Sequence, residues 1–195
     1  MTNRQKILLI AFLLVVLVLL TSATGKSSFP KKLIEKLKAK NRRGVYVPTE
    51  REAQAFSDVA TRNGFKPEWL ANLVNFETAG TFSPAIQNPN SRATGLIQFM
   101  PSTARSLGTS IEALRQMSFL QQLYYVDLYL QKGVKVAKKR TGKKNFSQID
   151  LFMIVFYPIS VGKPDYQFPE NVVAANNGIS TPRQYTERAL RNKLF

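Results

Sequence analysis

The sequence predicts an all-α domain placed after an N-terminal hydrophobic helix, and three observations carry that expectation. The punctuation along the chain is that of helices. Thr49 with Glu52 and Ser118 with Gln121 have the spacing of capping boxes, prolines stand at helix starts, and glycines follow helix ends. No stretch alternates apolar and polar residues as a half-buried strand would, apart from a short irregular segment within residues 82–97. Finally, 44% of the 195 residues are hydrophobic, enough for one packed domain of ordinary size plus a short appendage.

In chain order, residues 1–6 form a basic head with Arg4 and Lys6. Residues 7–20 then read ILLIAFLLVVLVLL without a polar break. That run has the length of a secretory-signal core, with Thr21-Ser22-Ala23 as a small-residue cleavage site. With residues 21–24 included it also reaches membrane thickness, so an uncleaved anchor over 1–24 is the equal alternative. Residues 25–44 read as a basic linker, in which Lys26, Lys31, Lys32, Lys36, Lys38, Lys40, Arg42 and Arg43 face only Glu35. Leu33, Ile34 and Leu37 give it a weak apolar stripe after Pro30. The segment is either solvated or laid on anionic headgroups. More positive charge follows the hydrophobic run than precedes it, which for an anchor would keep the C-terminal part cytoplasmic. A cleaved signal, or storage in a virus particle, escapes that orientation.

Residues 45–195 read as the folded domain. A helix capped by Thr49 ends at Asn63-Gly64, and Pro67 opens a second that closes at Gly80. Pro101 opens a short one ending at Gly108, and Ser118 caps a longer one with Phe119, Leu120, Leu123 and Leu130 on its apolar face. Ser147 caps a helix stopped by Pro158, and Pro169 and Pro182 introduce the last two.

The chain has no cysteine and no histidine. That removes Cys–His and Ser–His catalysis, disulfides, and structural zinc of the usual kind. No metal or cofactor is expected. The charge balance, 28 Lys+Arg against 12 Asp+Glu, favours a polyanionic partner: nucleic acid, anionic lipid, or an anionic cell-wall polymer.

Glu77 is the candidate catalytic group. It lies at the C-terminal end of its helix, where the macrodipole disfavours negative charge, and Phe76 and Phe82 offer apolar cover. Both effects push the carboxyl toward its protonated form near neutrality, as a general acid on a glycosidic oxygen requires. On position alone, an exposed helix-end glutamate without a role would be the commoner case. The residues that follow change the balance. Glu77-Thr78, then Phe82-Ser83-Pro84, then Gly95-Leu96-Ile97-Gln98-Phe99-Met100-Pro101 closely resemble, in order and spacing, the blocks of the soluble lytic transglycosylases, relatives of the goose-type lysozymes. Ala174-Ala175-Asn176-Asn177-Gly178 is similar to a third block of that family. The resemblance covers roughly residues 45–185.

The resemblance implies a lysozyme-like helical fold whose cleft binds the alternating aminosugars of peptidoglycan. It puts the acid/base at Glu77 and has Gln98 hydrogen-bond the sugar from the cleft floor that Gly95 and Ile97 shape. Asn176 does similar work from the far wall. The family's third block carries a tyrosine where this chain has Ala175, and Tyr157 is the candidate for a replacement hydroxyl. Glycosidases that hydrolyse by the usual routes need two flanking carboxylates. After Glu77 the next acid is Glu112, while Asp127 falls on a helix and Asp165 in a loop. One carboxylate suits a lytic transglycosylase, with the substrate's own N-acetyl group assisting and a 1,6-anhydro sugar as product. The expected activity is cleavage of the β-1,4 bond between N-acetylmuramic acid and N-acetylglucosamine. The setting is a membrane-anchored or exported protein of the cell envelope, or a phage virion-associated protein that opens the wall for entry. The alternatives are a goose-type muramidase that uses water, and a non-catalytic, membrane-tethered protein that binds peptidoglycan or nucleic acid through its basic surface.

Overall fold

The computed structural model describes residues 28–195. The hydrophobic run at 1–24, with its signal or anchor reading, lies outside the described residues. Among the described residues the fold is all-α: nine α-helices, one short 3-10 helix, and no strand beyond isolated bridges at Gln87–Thr94 and Thr94–Phe99.

Helix α1, Phe29–Ala39, occupies most of the segment expected to be a linker. Its stripe is not free to lie on a membrane. Phe29, Leu33 and Leu37 are buried against α2, Glu50–Arg62, and the Phe29 ring lies 5.3 Å from that of Phe195. The basic residues of α1 occupy its outer face, because burying them unpaired is far costlier than burying leucine. Residues 29–39 are thus part of the domain core.

Helix α2 begins at the Thr49–Glu52 capping box and ends at Asn63, followed by a left-handed Gly64. Helix α3, Pro67–Glu77, carries Leu70, Leu73 and Val74 into the core and delivers Glu77 at its last turn. Its buried Asn72 and Asn75 hold the chain end: the Asn72 Oδ1 accepts from the amides of Leu194 and Phe195, and the Asn75 Nδ2 donates to the Asn192 carbonyl. Helix α4, Pro101–Ser106, follows the Gln98 block. The sequence reading passed over α5, Ile111–Gln116, a short helix capped by the Ser110 hydroxyl and anchored by Ile111 and Leu114.

Helix α6, Phe119–Thr141, is the long spine, opened by the Ser118–Gln121 box and closed by a left-handed Gly142. Helix α7, Gln148–Phe156, starts at a Ser147–Asp150 box and buries Leu151, Phe152, Met153 and Ile154. A helix apolar on nearly every side belongs at the centre of a domain, and α7 packs against α3, α6 and α9. At the α6–α7 crossing a Cβ on Gly133 would come within 2.5 Å of the Ile154 side chain, so a glycine is required for this approach. The 3-10 helix Pro158–Ser160, helix α8, Glu170–Ala175, and helix α9, Pro182–Leu190, complete the fold.

Candidate active site

Glu77 closes α3, and the turn after it is tightly built. The Thr78 hydroxyl donates to the Val74 carbonyl at 2.6 Å and accepts from the Phe82 amide at 2.9 Å. Ala79 and Phe82 take left-handed backbone angles, φ +49° and +56°, which cost energy for residues with a Cβ. The Lys40 ammonium, arriving from the end of α1, donates to the Asn75 Oδ1 at 2.7 Å and to the Gly80 carbonyl at 3.1 Å. A cation at a helix C-terminus also meets the favourable end of the macrodipole. One lysine of the basic segment therefore braces the turn beside the candidate acid.

The Glu77 carboxyl receives no hydrogen bond and pairs with no cation among the described residues. Burial alone pushes its pKa from 4.5 up to about 8, while the residue keeps partial exposure to solvent. The two tyrosines whose ionisation its charge opposes are Tyr129 on α6 and Tyr185 on α9. Tyr185 stacks on Phe156 with ring centroids 4.0 Å apart and meets the Phe76 ring edge-on at 5.6 Å. Glu77 therefore sits in a mostly aromatic surround. Phe76, the residue before Glu77, packs against Tyr185 and Phe152. Phe82 is fully buried and packs against Phe56 and Phe119.

Gln98 lies in a four-residue turn pinned between Thr94 and Phe99, whose amides and carbonyls bond each other at 2.8 and 3.2 Å. Gly95 has φ +81° and Gln98 φ +51°. The Gln98 amide Nε2 donates to the Gly95 carbonyl at 3.1 Å, and its side chain is half-buried. A glutamine held in the left-handed region is the kind of strain that accumulates at functional loops. Phe99, next in sequence, packs edge-on against the Tyr129 ring at 6.3 Å. Tyr129 thus joins the surroundings of Glu77 to the loop that carries Gln98.

The loop is anchored by a residue the sequence reading passed over. Gln122, fully buried on α6, accepts from the Leu96 amide at 2.6 Å. Its Nε2 donates to the carbonyls of Pro84 at 2.8 Å and Leu114 at 3.0 Å. A Cβ on Gly95 would come within 2.3 Å of that amide, which is why glycine opens the block. Ile97 is 3% exposed and lies in the core, supporting the loop from beneath.

Asn176 and Tyr157 stand apart from these bonds. Asn176 follows α8, which buries no residue. Its Nδ2 donates to the Val172 carbonyl at 2.8 Å, and its own carbonyl accepts from Arg188. Ala175 beside it is exposed. Tyr157 caps α7 in a ring cluster with Phe156, Tyr166 and Phe168, and the group that opposes its ionisation most after burial is Tyr166. Tyr129 and Tyr185 could have been noticed in the sequence only as tyrosines on apolar helix faces, a pattern that ordinary core packing produces as well.

Four other acids are engaged elsewhere. Asp127 accepts from the Asn63 amide at 2.7 Å and pairs with Arg62, tying α6 to the end of α2. Asp150 caps α7 and holds Lys143 and the Gly162 amide. Asp165 pairs with Arg183, and Glu112 with Arg92. Among the described residues no group of three or more His, Cys, Asp or Glu is placed to hold a metal ion. The arrangement offers one neutral acid whose charge would be felt by two tyrosines, and a strained amide-bearing loop that packs on one of those tyrosines through Phe99. No protein-family model matches this chain, and neither a curated protein nor a solved structure does.

Proposed function

We propose that the protein is a peptidoglycan lytic transglycosylase with a lysozyme-like fold. It cleaves the β-1,4 bond between N-acetylmuramic acid and N-acetylglucosamine. The observation that carries this reading is the state of Glu77: a carboxyl held protonated near neutrality by burial, on a residue that is only partly covered, with no second carboxylate or cation acting on it. The ordered Glu77-Thr78, Phe82-Ser83-Pro84 and Gly95–Pro101 blocks supply the substrate class.

In this mechanism the Glu77 carboxyl gives its proton to the glycosidic oxygen, and the C1–O bond breaks toward the leaving sugar. The carbonyl oxygen of the muramyl N-acetyl group bonds to C1 in its place, so no protein nucleophile is required. The Glu77 carboxylate then takes the proton from the 6-hydroxyl, whose oxygen attacks C1 and releases the N-acetyl oxygen. The product is a 1,6-anhydro sugar, and Glu77 is again protonated. Gln98 hydrogen-bonds the glycan beside this centre, with Gly95 and Ile97 shaping the floor. Asn176 and Tyr157 contact the strand from the α7–α9 side. The reading includes delivery to the wall by the hydrophobic N-terminal segment, in the envelope or in a phage particle.

The test is digestion of purified peptidoglycan by the full chain beside its Glu77→Gln variant, with products identified by mass spectrometry. Anhydro-muropeptides are expected from the first and none from the second. Reducing-end products would instead make it a muramidase that positions a water. No products from either chain, with binding retained, would make it a non-catalytic binding protein.

A further inference from the structure

A cleft of about 240 Å³ lies between the end of α4, the C-terminal half of α6, and the end of α7 with the 3-10 turn. Leu107, Tyr129, Val136, Ile154, Pro158 and Val161 line it, and it is mostly apolar. Two of the three large hydrophobic residues most exposed among the described residues stand on its rim or beside it: Val136, 62% exposed, lines it, and Ile159, 55% exposed, follows Pro158. A pair of such side chains around an apolar slot marks a contact surface more readily than scattered exposure does.

The charges around it say what that surface faces. At about 100° per residue, Lys132, Lys139 and Arg140 stand within about 60° of Val136 around the helix axis, and Lys135 within about 100°. Lys132 donates to the Ser106 carbonyl and Arg140 to the Val161 carbonyl, so a cation strap crosses toward each wall of the slot. Lys135, Lys138, Lys139 and Lys144 are exposed and have no ion-pair partner among the described residues. No acid occurs between Asp127 and Asp150. An exposed apolar residue ringed by long cationic side chains is the arrangement of a helix lying in a membrane interface, its cations reaching headgroups while the apolar residues enter the acyl boundary. A nucleic acid backbone would meet the cations but give Val136 and Ile159 nothing apolar to enter.

We propose that this face of α6, with the 3-10 turn, docks on an anionic phospholipid bilayer. Membrane contact then belongs to the folded domain itself, although the stripe of α1 is taken by the core.

The chain has no cysteine, so one introduced thiol reports on one position. Val136→Cys in the full chain, labelled with a polarity-sensitive fluorophore, is mixed with phosphatidylglycerol or phosphatidylcholine vesicles. Arg51→Cys, exposed on α2, is the labelled control. The label at 136 is expected to shift to the blue on phosphatidylglycerol only, and the label at 51 on neither. The added pair Lys135→Glu/Lys139→Glu is expected to abolish the shift at 136, at unchanged circular dichroism. The proposal is overturned by no shift at 136, an equal shift on neutral vesicles, an equal shift at both positions, or an equal shift with duplex DNA. Survival of the shift after charge reversal also overturns it. Because each labelled variant carries the whole N-terminal segment, insertion of that segment alone would not give the expected difference.

Discussion

The carboxyl that would carry the proposed reaction also lowers the stability of the fold at neutral and higher pH. Glu77 has a pKa of about 8 in the fold against 4.5 when solvated, so the folded chain holds this proton more tightly than the unfolded one. Below about pH 4.5 both states are protonated and Glu77 costs nothing. As pH rises the unfolded state ionises first, and the cost grows until it levels off above about pH 8, at up to about 5 kcal/mol. Glu77→Gln is therefore expected to raise Tm at pH 8 and leave it unchanged near pH 4, while removing glycan cleavage. Calorimetry at the two pH values checks this, and equal shifts at both would mean that the carboxyl is solvated. For the same reason cleavage by the wild-type chain should fall as pH passes through about 8, where the acid form is lost. Gln98 permits a second separation of stability from activity. Glycine at this left-handed position relieves side-chain strain but adds freedom to the unfolded chain, so Gln98→Gly should leave stability within about 1 kcal/mol. Urea unfolding beside a digestion assay is expected to show near-equal midpoints and a large loss of cleavage.

At the scale of the element, the Gln98 loop owes its shape to helix α6, which lies outside it. Gln122 satisfies the Leu96 amide and two carbonyls from a fully buried position. Gln122→Leu would leave these buried groups without partners and cost about 3 to 5 kcal/mol, read as a drop in denaturation midpoint. A change under about 1 kcal/mol would mean that water reaches the loop. The helices themselves were largely legible in the sequence, because their signals are local. Thr49–Glu52, Ser118–Gln121 and Ser147–Asp150 all form the boxes or caps their spacing announces, and Pro67, Pro101 and Pro182 each open a helix. Helix α5 was not legible: six residues carry too little periodicity, and Ser110 is a weak signal without an acid or amide three residues on.

Across the whole molecule, the largest revision concerns where the domain begins. Eight cations within residues 25–44 suggest a solvated linker, yet Leu33 at 0% exposure is as deep as any leucine of α3. Leu33→Ala is expected to cost about 2 to 4 kcal/mol of global stability, measured by chemical denaturation; a neutral result would return α1 to the status of a linker. By itself the sequence determined the helical class, the main caps, the absence of thiol and imidazole chemistry, and Glu77 as the acid to examine. These follow from residue identity and from spacings of three or four residues. Only the tertiary structure decided the environment of Glu77, the anchoring of Gly95 by Gln122, and the burial of the α1 stripe. It also decided which tyrosines sense the Glu77 charge. Each of these depends on side chains separated by tens of residues meeting in one place, and desolvation is a property of that meeting rather than of any stretch of chain.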